Sequence, residues 1–296
     1  FLSGADLLAL PWEWLHDEAL GFLAQREDIS VVRYTPQTAV FRTRANPKPI
    51  EILLVTPSRE QGKILFDPDK LAYELQSRLS HLSGQVNLTL LNQTSLFFDQ
   101  ILAANPVHVL HLMVPIVAER DELRLLFNVS GRGQMPTVDE LVAMVQGRDV
   151  ALVVLTAVND EQWSPTLQAA QKLVTAGIPA VLVWPSPPRE QFDLLLASFY
   201  ENLAAGAWLD EAVADLRRAS AAAREGDEAG ADLVLFTSTP HGNVWRSELT
   251  AVDLYEALAE HFTLTDLQDL CFRLQTDYDA LTGEGRRGKL VDLVGL

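Results

Sequence analysis

From about residue 29 onward, short runs of β-branched and apolar residues alternate with stretches whose leucines recur every three or four positions. That alternation predicts strands and helices taking turns along the chain. Residues 51–56, 86–91, 107–113, 150–155 and 180–184 are nearly continuous in apolar side chains. Strands of that kind are buried on both faces, so they predict a mainly parallel sheet covered by helices, an α/β fold. Residues 29–34 and 39–43, joined by Thr35, Pro36 and Gln37, read as a hairpin. Asp67, ahead of Pro68, caps a predicted helix that carries Leu71, Leu75, Leu79 and Leu82 at helical spacing. Beyond the break at 185–188 comes a Leu-rich helix, then a joint at Gly206 and a further helix over 209–223. Residues 231–236 and 244–245 read as the last strands, with a turn between them.

After Ser247 the β-branched runs cease, and Leu254, Leu258, Leu267, Leu270 and Leu274 recur at helical intervals. This shift predicts two domains, an α/β body over 1–246 and a small all-α segment over 247–296. Composition narrows the function. A net charge of −17 sets the chain against DNA and anionic lipid, so neither nucleic acid nor a membrane is expected as partner. One cysteine, Cys271, excludes an internal disulfide and any multi-cysteine metal site. No apolar run reaches the roughly 18 residues that a membrane span requires. A reducing, cytoplasmic setting is the expectation, although the start at Phe1 reads as the edge of a longer chain.

Candidate chemistry is sparse. His108 and His111, three apart on one predicted strand, face opposite ways and cannot chelate together, so they read as strand or core histidines. His16, between Leu15 and Asp17, reads as structural, and Cys271 in its Leu-rich helix as a buried inert thiol. Ser58 lacks the G-x-S-x-G elbow of a hydrolase nucleophile. Gly131 and Gly133 around Arg132 lack the Lys-Ser/Thr of a phosphate loop and read as a turn. No metal or cofactor is expected.

Six blocks in order nevertheless carry a family resemblance: LPWEWLHDEALGFLAQREDISVVR (10–33), EILLVTPS (51–58), HVLHLMVP (108–115), LVVLTAVND (152–160), LVTAGIPAVLVWP (173–185) and FYENLAAGAWLDEAVADLRRA (199–219). They resemble the landmarks of a CHAT domain, from the caspase-like peptidase clan, which implies a caspase-like three-layer α/β sandwich. In active members a Gly-His-Gly turn with the general base follows the strand that here reads VLHL. This chain has Met113, Val114, Pro115 and Ile116 there, so Pro115 takes the histidine position. The second half of the family's site resembles L-N-A-C-Q, and here it reads Leu155, Thr156, Ala157, Val158 and Asn159, with Val158 at the thiolate position. Valine has no lone pair to attack with, and proline neither takes up a proton nor donates a backbone hydrogen bond. The resemblance therefore implies a degenerate dyad and a pseudoenzyme. Its alternatives are an active peptidase with the dyad elsewhere, or a small-ligand sensor using the vacated cleft.

From Leu254 the run LYEALAEHFTLTDLQDLCFRLQTDYDALTGEGRRGKLVDLV (254–294) resembles the bacterial effector-associated domain, a death-fold-like helical adaptor, here expected without its final helices. The resemblance implies homotypic coupling of separately encoded parts of a prokaryotic conflict system. Residues 247–272 hold six acidic side chains and no Lys or Arg, whereas Arg286, Arg287 and Lys289 gather near the end. Those three are the expected partner-binding residues, since opposite patches fix the orientation of a protein contact. The expected function is that of an inactive caspase-like scaffold, adaptor or regulator, recruiting protein partners through its helical end.

Overall fold

The structure, a computed structural model, describes residues 10–35, 44–45, 47–56, 67–92, 98–120, 122–126, 136–156, 163–184, 191–223, 232–239, 244–246, 254–255, 258–259, 262–274, 276–283 and 285–294. The chain divides into two compact units, Phe1–Trp245 and Arg246–Leu296.

The strands that build the first unit are β1 (Arg33–Tyr34), β2 (Ile50–Thr56), β3 (Val86–Asn92), β4 (Val109–Leu112), β5 (Ile116–Glu119), β6 (Glu122–Leu125), β7 (Leu152–Thr156), β8 (Ala180–Trp184) and β9 (Val234–Thr237). Its helices are α1 (Pro68–Leu79), α2 (Phe98–Ala104), α3 (Val138–Val145), α4 (Trp163–Thr175), α5 (Phe192–Ala204) and α6 (Leu209–Ala222). Seven strands form one sheet in the order β1-β9-β8-β7-β4-β2-β3. The five from β8 to β3 run parallel, and β9 pairs antiparallel with β8.

Side chains alternate strictly between two cores, one on each face. Ile52, Leu54, Val109, Leu152, Val154, Leu182 and Trp184 pack with α1, α5 and α6. Leu53, Val55, Leu110, Leu112, Val153, Leu155, Val181 and Val183 pack with α2, α3 and α4. Two buried apolar faces on the inner strands β2, β4, β7 and β8 are the reason that these read as continuous apolar runs. The architecture is the α/β three-layer sandwich with a mainly parallel sheet, followed by small C-terminal helices. Asp67 accepts from the backbone N–H groups of Asp69 and Lys70 and so caps α1, a contribution of about 1 kcal/mol. Thr137 and Glu140 close a capping box on α3.

Of the hairpin expected over 29–34 and 39–43, the second arm lies outside the described residues. Within the first, Arg33 and Tyr34 form a strand that pairs in parallel with Phe236 and Thr237 of β9. Conversely, the antiparallel β5–β6 ladder was not read from the sequence. Its arms are four residues long, with charged groups at the tip, too short for a period to show.

The second unit contains α7 (Leu264–Arg273), a 3-10 turn (Tyr278–Ala280) and α8 (Gly285–Val294). Leu258, Leu267 and Leu290 form its buried centre, with Phe262, Leu270, Tyr278 and Leu293 around them. Leu254 and Leu274, counted with the apolar spacing, are 40% and 57% exposed.

Candidate functional site

In open parallel sheets the strand carboxyl ends are where ligands and catalytic groups gather. Here β4 and β7, adjacent at the centre of the sheet, lead to the two positions that the resemblance singled out. The backbone N–H of Met113 continues the β2–β4 ladder by donating to the Val55 carbonyl at 2.9 Å. Met113, Val114, Pro115 and Ile116 are all buried. Pro115 stands at the foot of the β5–β6 hairpin, where its carbonyl accepts from the N–H of Leu126 at 2.8 Å. Proline can supply that acceptor but no backbone donor. The strand β7 ends at buried Thr156, and Leu155 is paired with Leu112. Positions 115 and 158 each stand three residues beyond that pair along the chain, and Val158 itself lies outside the described residues.

One titratable group lies just beneath this end of the sheet. His111, fully buried on β4, has Nδ1 2.7 Å from the Tyr200 hydroxyl on α5 and Nε2 2.8 Å from Thr156 Oγ1. Burial pushes the imidazole down to about 3 and raises the Tyr200 phenol far above its usual range, so the trio is neutral at neutral pH. With both ring nitrogens engaged, the imidazole has no free lone pair to offer a substrate. Beside it, Trp184 pairs in register with Thr156, and its buried indole N–H has no partner among the described residues. His108 lies before the strand, where Nδ1 accepts the N–H of Glu51 at 2.9 Å. The two histidines therefore serve separate elements.

Other buried charges are structural. Arg33 on β1 donates to both carboxylate oxygens of Glu13, at 3.0 and 2.5 Å, with both side chains almost fully buried. This ties the Trp12–Trp14 turn to the sheet and accounts for the acidic residue inside the WEW run. Arg217 on α6 donates twice to the Leu233 carbonyl. His16 is exposed, edge-on to Phe22. Among the described residues, no three His, Cys, Asp or Glu side chains are grouped to hold a metal, and no helix is long and apolar enough to cross a membrane. A cavity of about 220 Å³ lined by Gln146, Arg148, Asp149, Gly177 and Pro179 opens at the amino ends of β7 and β8, the end of the sheet away from Pro115. Ser58, Gly131, Arg132 and Gly133 lie outside the described residues.

The three basic residues near the C-terminus separate into two roles. Arg286 donates to the carbonyls of Phe262 and Ala259, both at 2.6 Å. Lys289 donates to the carbonyls of Tyr278 and Leu281, at 2.9 and 3.1 Å, and its ammonium stands 4.2 Å from the Tyr278 ring centre. Both head groups are thus spent on backbone oxygens inside their own unit, and Arg287 alone of the three is exposed. The expected basic patch of Arg286, Arg287 and Lys289 shrinks accordingly. Its signal in the sequence was charge alone, which does not tell an internal tether from a surface patch. Cys271 is buried, as read.

Residues 1–264 match the CHAT domain family, and residues 254–296 match effector-associated domain 7. No curated protein matches the sequence. Among solved structures, the chain is similar to the RcsB response regulator of Salmonella typhimurium (11% identity, 84% of this chain and 100% of that one, TM-score 0.33). It is also similar to the Drosophila initiator caspase Dronc (8% identity, 72% of this chain and 100% of that one, TM-score 0.35). Likenesses that distant carry no functional weight, whereas the family match spans most of the sequence. The chain belongs to the CHAT domain family, with an effector-associated domain 7 at its C-terminal end.

Proposed function

We propose that this CHAT protein is a non-catalytic scaffold or regulator in a prokaryotic conflict system, anti-phage or programmed cell death, whose effector-associated domain recruits protein partners. One observation carries the reading: residues 1–264, the whole CHAT match, contain no cysteine. Thiol catalysis needs a polarisable sulfur beside a proton acceptor. The single thiol, Cys271, is buried among the helices of the second unit. Pro115 at the base position and Val158 at the nucleophile position add two separate losses, and His111, the imidazole on β4, is neutral and engaged on both sides. A buried, unoxidised cysteine suits a cytoplasmic location.

The test has two arms. Incubated with a degenerate peptide library, the purified chain is expected to release no fragments above the buffer control, and a thiol-reactive peptide probe to leave it unlabelled. Cleavage that disappears in His111→Ala or on alkylation of Cys271 would sink the pseudoenzyme reading. For recruitment, co-purification from the native host with the intact chain is compared with a chain ended after Ser247. The longer chain is expected to retain interactors that the shorter one loses, and identical sets would exclude the helical end as the recruiting element.

A further inference from the structure

The strand β3 is the outermost of the seven, bonded to β2 on one side and, among the described residues, to nothing on the other. Its register identifies the backbone groups left over. The N–H of Ile50 donates to the Gln85 carbonyl, so in this parallel ladder Asn87, Thr89 and Leu91 turn their N–H and C=O toward β2. The corresponding groups of Val86, Leu88, Leu90 and Asn92 point outward. Sheets ordinarily blunt such an edge with charge, proline or a bulge. The sequence here, VNLTLLN, contains no charged residue and no proline, and it pairs without interruption from Val86 to Asn92.

We propose that β3 pairs edge to edge with β3 of a second copy of this chain, antiparallel, about a two-fold axis at Thr89. Three observations converge on that occupant. The first is hydrogen-bond parity. An axis at Thr89 sets Leu88 against Leu90 of the copy and Val86 against Asn92, so every outward donor and acceptor of the strand meets one from its mate. Moving the axis to a neighbouring residue strands one end of each edge, and placing it between residues opposes groups already bonded to β2. The second is side-chain fit. Leu88 and Leu90, both half-buried against the core, lie opposite each other on one face, and Thr89 meets Thr89 on the other, pairs that favour association.

The third observation is charge. A chain of net charge −17 repels its own copy over most of its surface, and this uncharged edge is where that repulsion is weakest. Glu51, on the strand behind, has its carboxylate engaged by the Asn87 side chain at 3.0 Å. A basic partner would find nothing on β3 to recognise, whereas a copy finds its own complement. The pairing joins two seven-stranded sheets into one continuous sheet and leaves the carboxyl ends of β4 and β7 open. It is independent of whether those ends are catalytic.

Sedimentation equilibrium on the whole chain tests it. A monomer–dimer equilibrium is expected that moves toward dimer as salt rises, because screening relieves the repulsion between like-charged copies. Thr89 is exposed, so Thr89→Lys is expected to keep the same melting curve at concentrations where the unaltered chain is monomeric, while placing two like charges face to face at the axis. Dimerisation should weaken by about tenfold or more. As a second readout, Thr89→Cys is expected to form a disulfide-linked dimer under mild oxidation, since non-hydrogen-bonded partners stand about 4.5 Å apart at Cα, within disulfide reach. Asn87→Cys, whose counterpart is Leu91, is expected not to cross-link. A chain monomeric at every concentration and salt overturns the proposal, as does a dimer untouched by Thr89→Lys or equal cross-linking at positions 87 and 89.

Discussion

His111 illustrates how much one buried side chain controls. Wedged between Tyr200 and Thr156, it is held neutral, and burial lowers its pKa from 6.5 to about 3. The sign of the pH effect follows. Below pH 6.5 the unfolded chain binds a proton that the folded chain refuses until about pH 3, so stability falls as pH drops through that window. The slope contributed by this one group approaches about 1.4 kcal/mol per pH unit. His111→Phe is expected to flatten the acid limb of a urea-denaturation series relative to the unaltered chain. At pH 7 the same change is expected to cost about 2–4 kcal/mol, because the Tyr200 and Thr156 hydroxyls lose their partner in a dry site. An unchanged acid limb would mean that the histidine is not buried neutral.

At the scale of elements, the run GEGRRGK joins the segments of the second unit. A Cβ added to Gly283 would fall 2.1 Å from the Gly288 carbonyl carbon, so the two glycines let backbone pass against backbone. That approach accompanies the bonds from Arg286 on α8 to the carbonyls of Phe262 and Ala259. The Asp292 carboxylate accepts from Thr282 Oγ1 and from the Gly283 N–H, both at 2.8 Å, and these bonds hold its pKa below the usual carboxylate range. Arg286→Ala is therefore expected to destabilise the unit by about 1.5–3 kcal/mol, the value of a hydrogen bond from a charged donor. Arg287→Ala should shift it by no more than about 0.5 kcal/mol. Thermal melts of the two variants check this, and equal losses would contradict the division of roles between the neighbouring arginines.

Across the whole molecule the two units differ in what supports them. The α/β unit buries apolar side chains on both faces of its sheet. The helical unit centres on three buried leucines among the described residues. Since the fraction of surface buried rises with size, the smaller unit should be the weaker. Differential scanning calorimetry is expected to resolve two transitions, the lower of them moved by Arg286→Ala and the upper one left in place. A single transition that shifts as a whole with that substitution would mean that the two units unfold as one.

Alternation of apolar strands with helical leucine spacing is a local property, set by which side chains must be hidden on which face, and it announced the layered α/β sheet without reference to contacts. Family membership was legible for the same reason, through ordered blocks of residues such as LPWEWLHD and LVTAGIPAVLVWP, and the single cysteine is a matter of composition. Partnership across long separations is different. Arg33 faces Glu13 and lies in the strand beside β9, His111 meets Tyr200 from 89 residues away, and Arg286 and Lys289 turn inward to carbonyls. The outermost place of β3 among the described strands likewise belongs to the strand order and not to its residues, because a strand carries no mark of which neighbours it will have. Those contacts exist only once distant segments have been brought together, so the tertiary structure alone decided them.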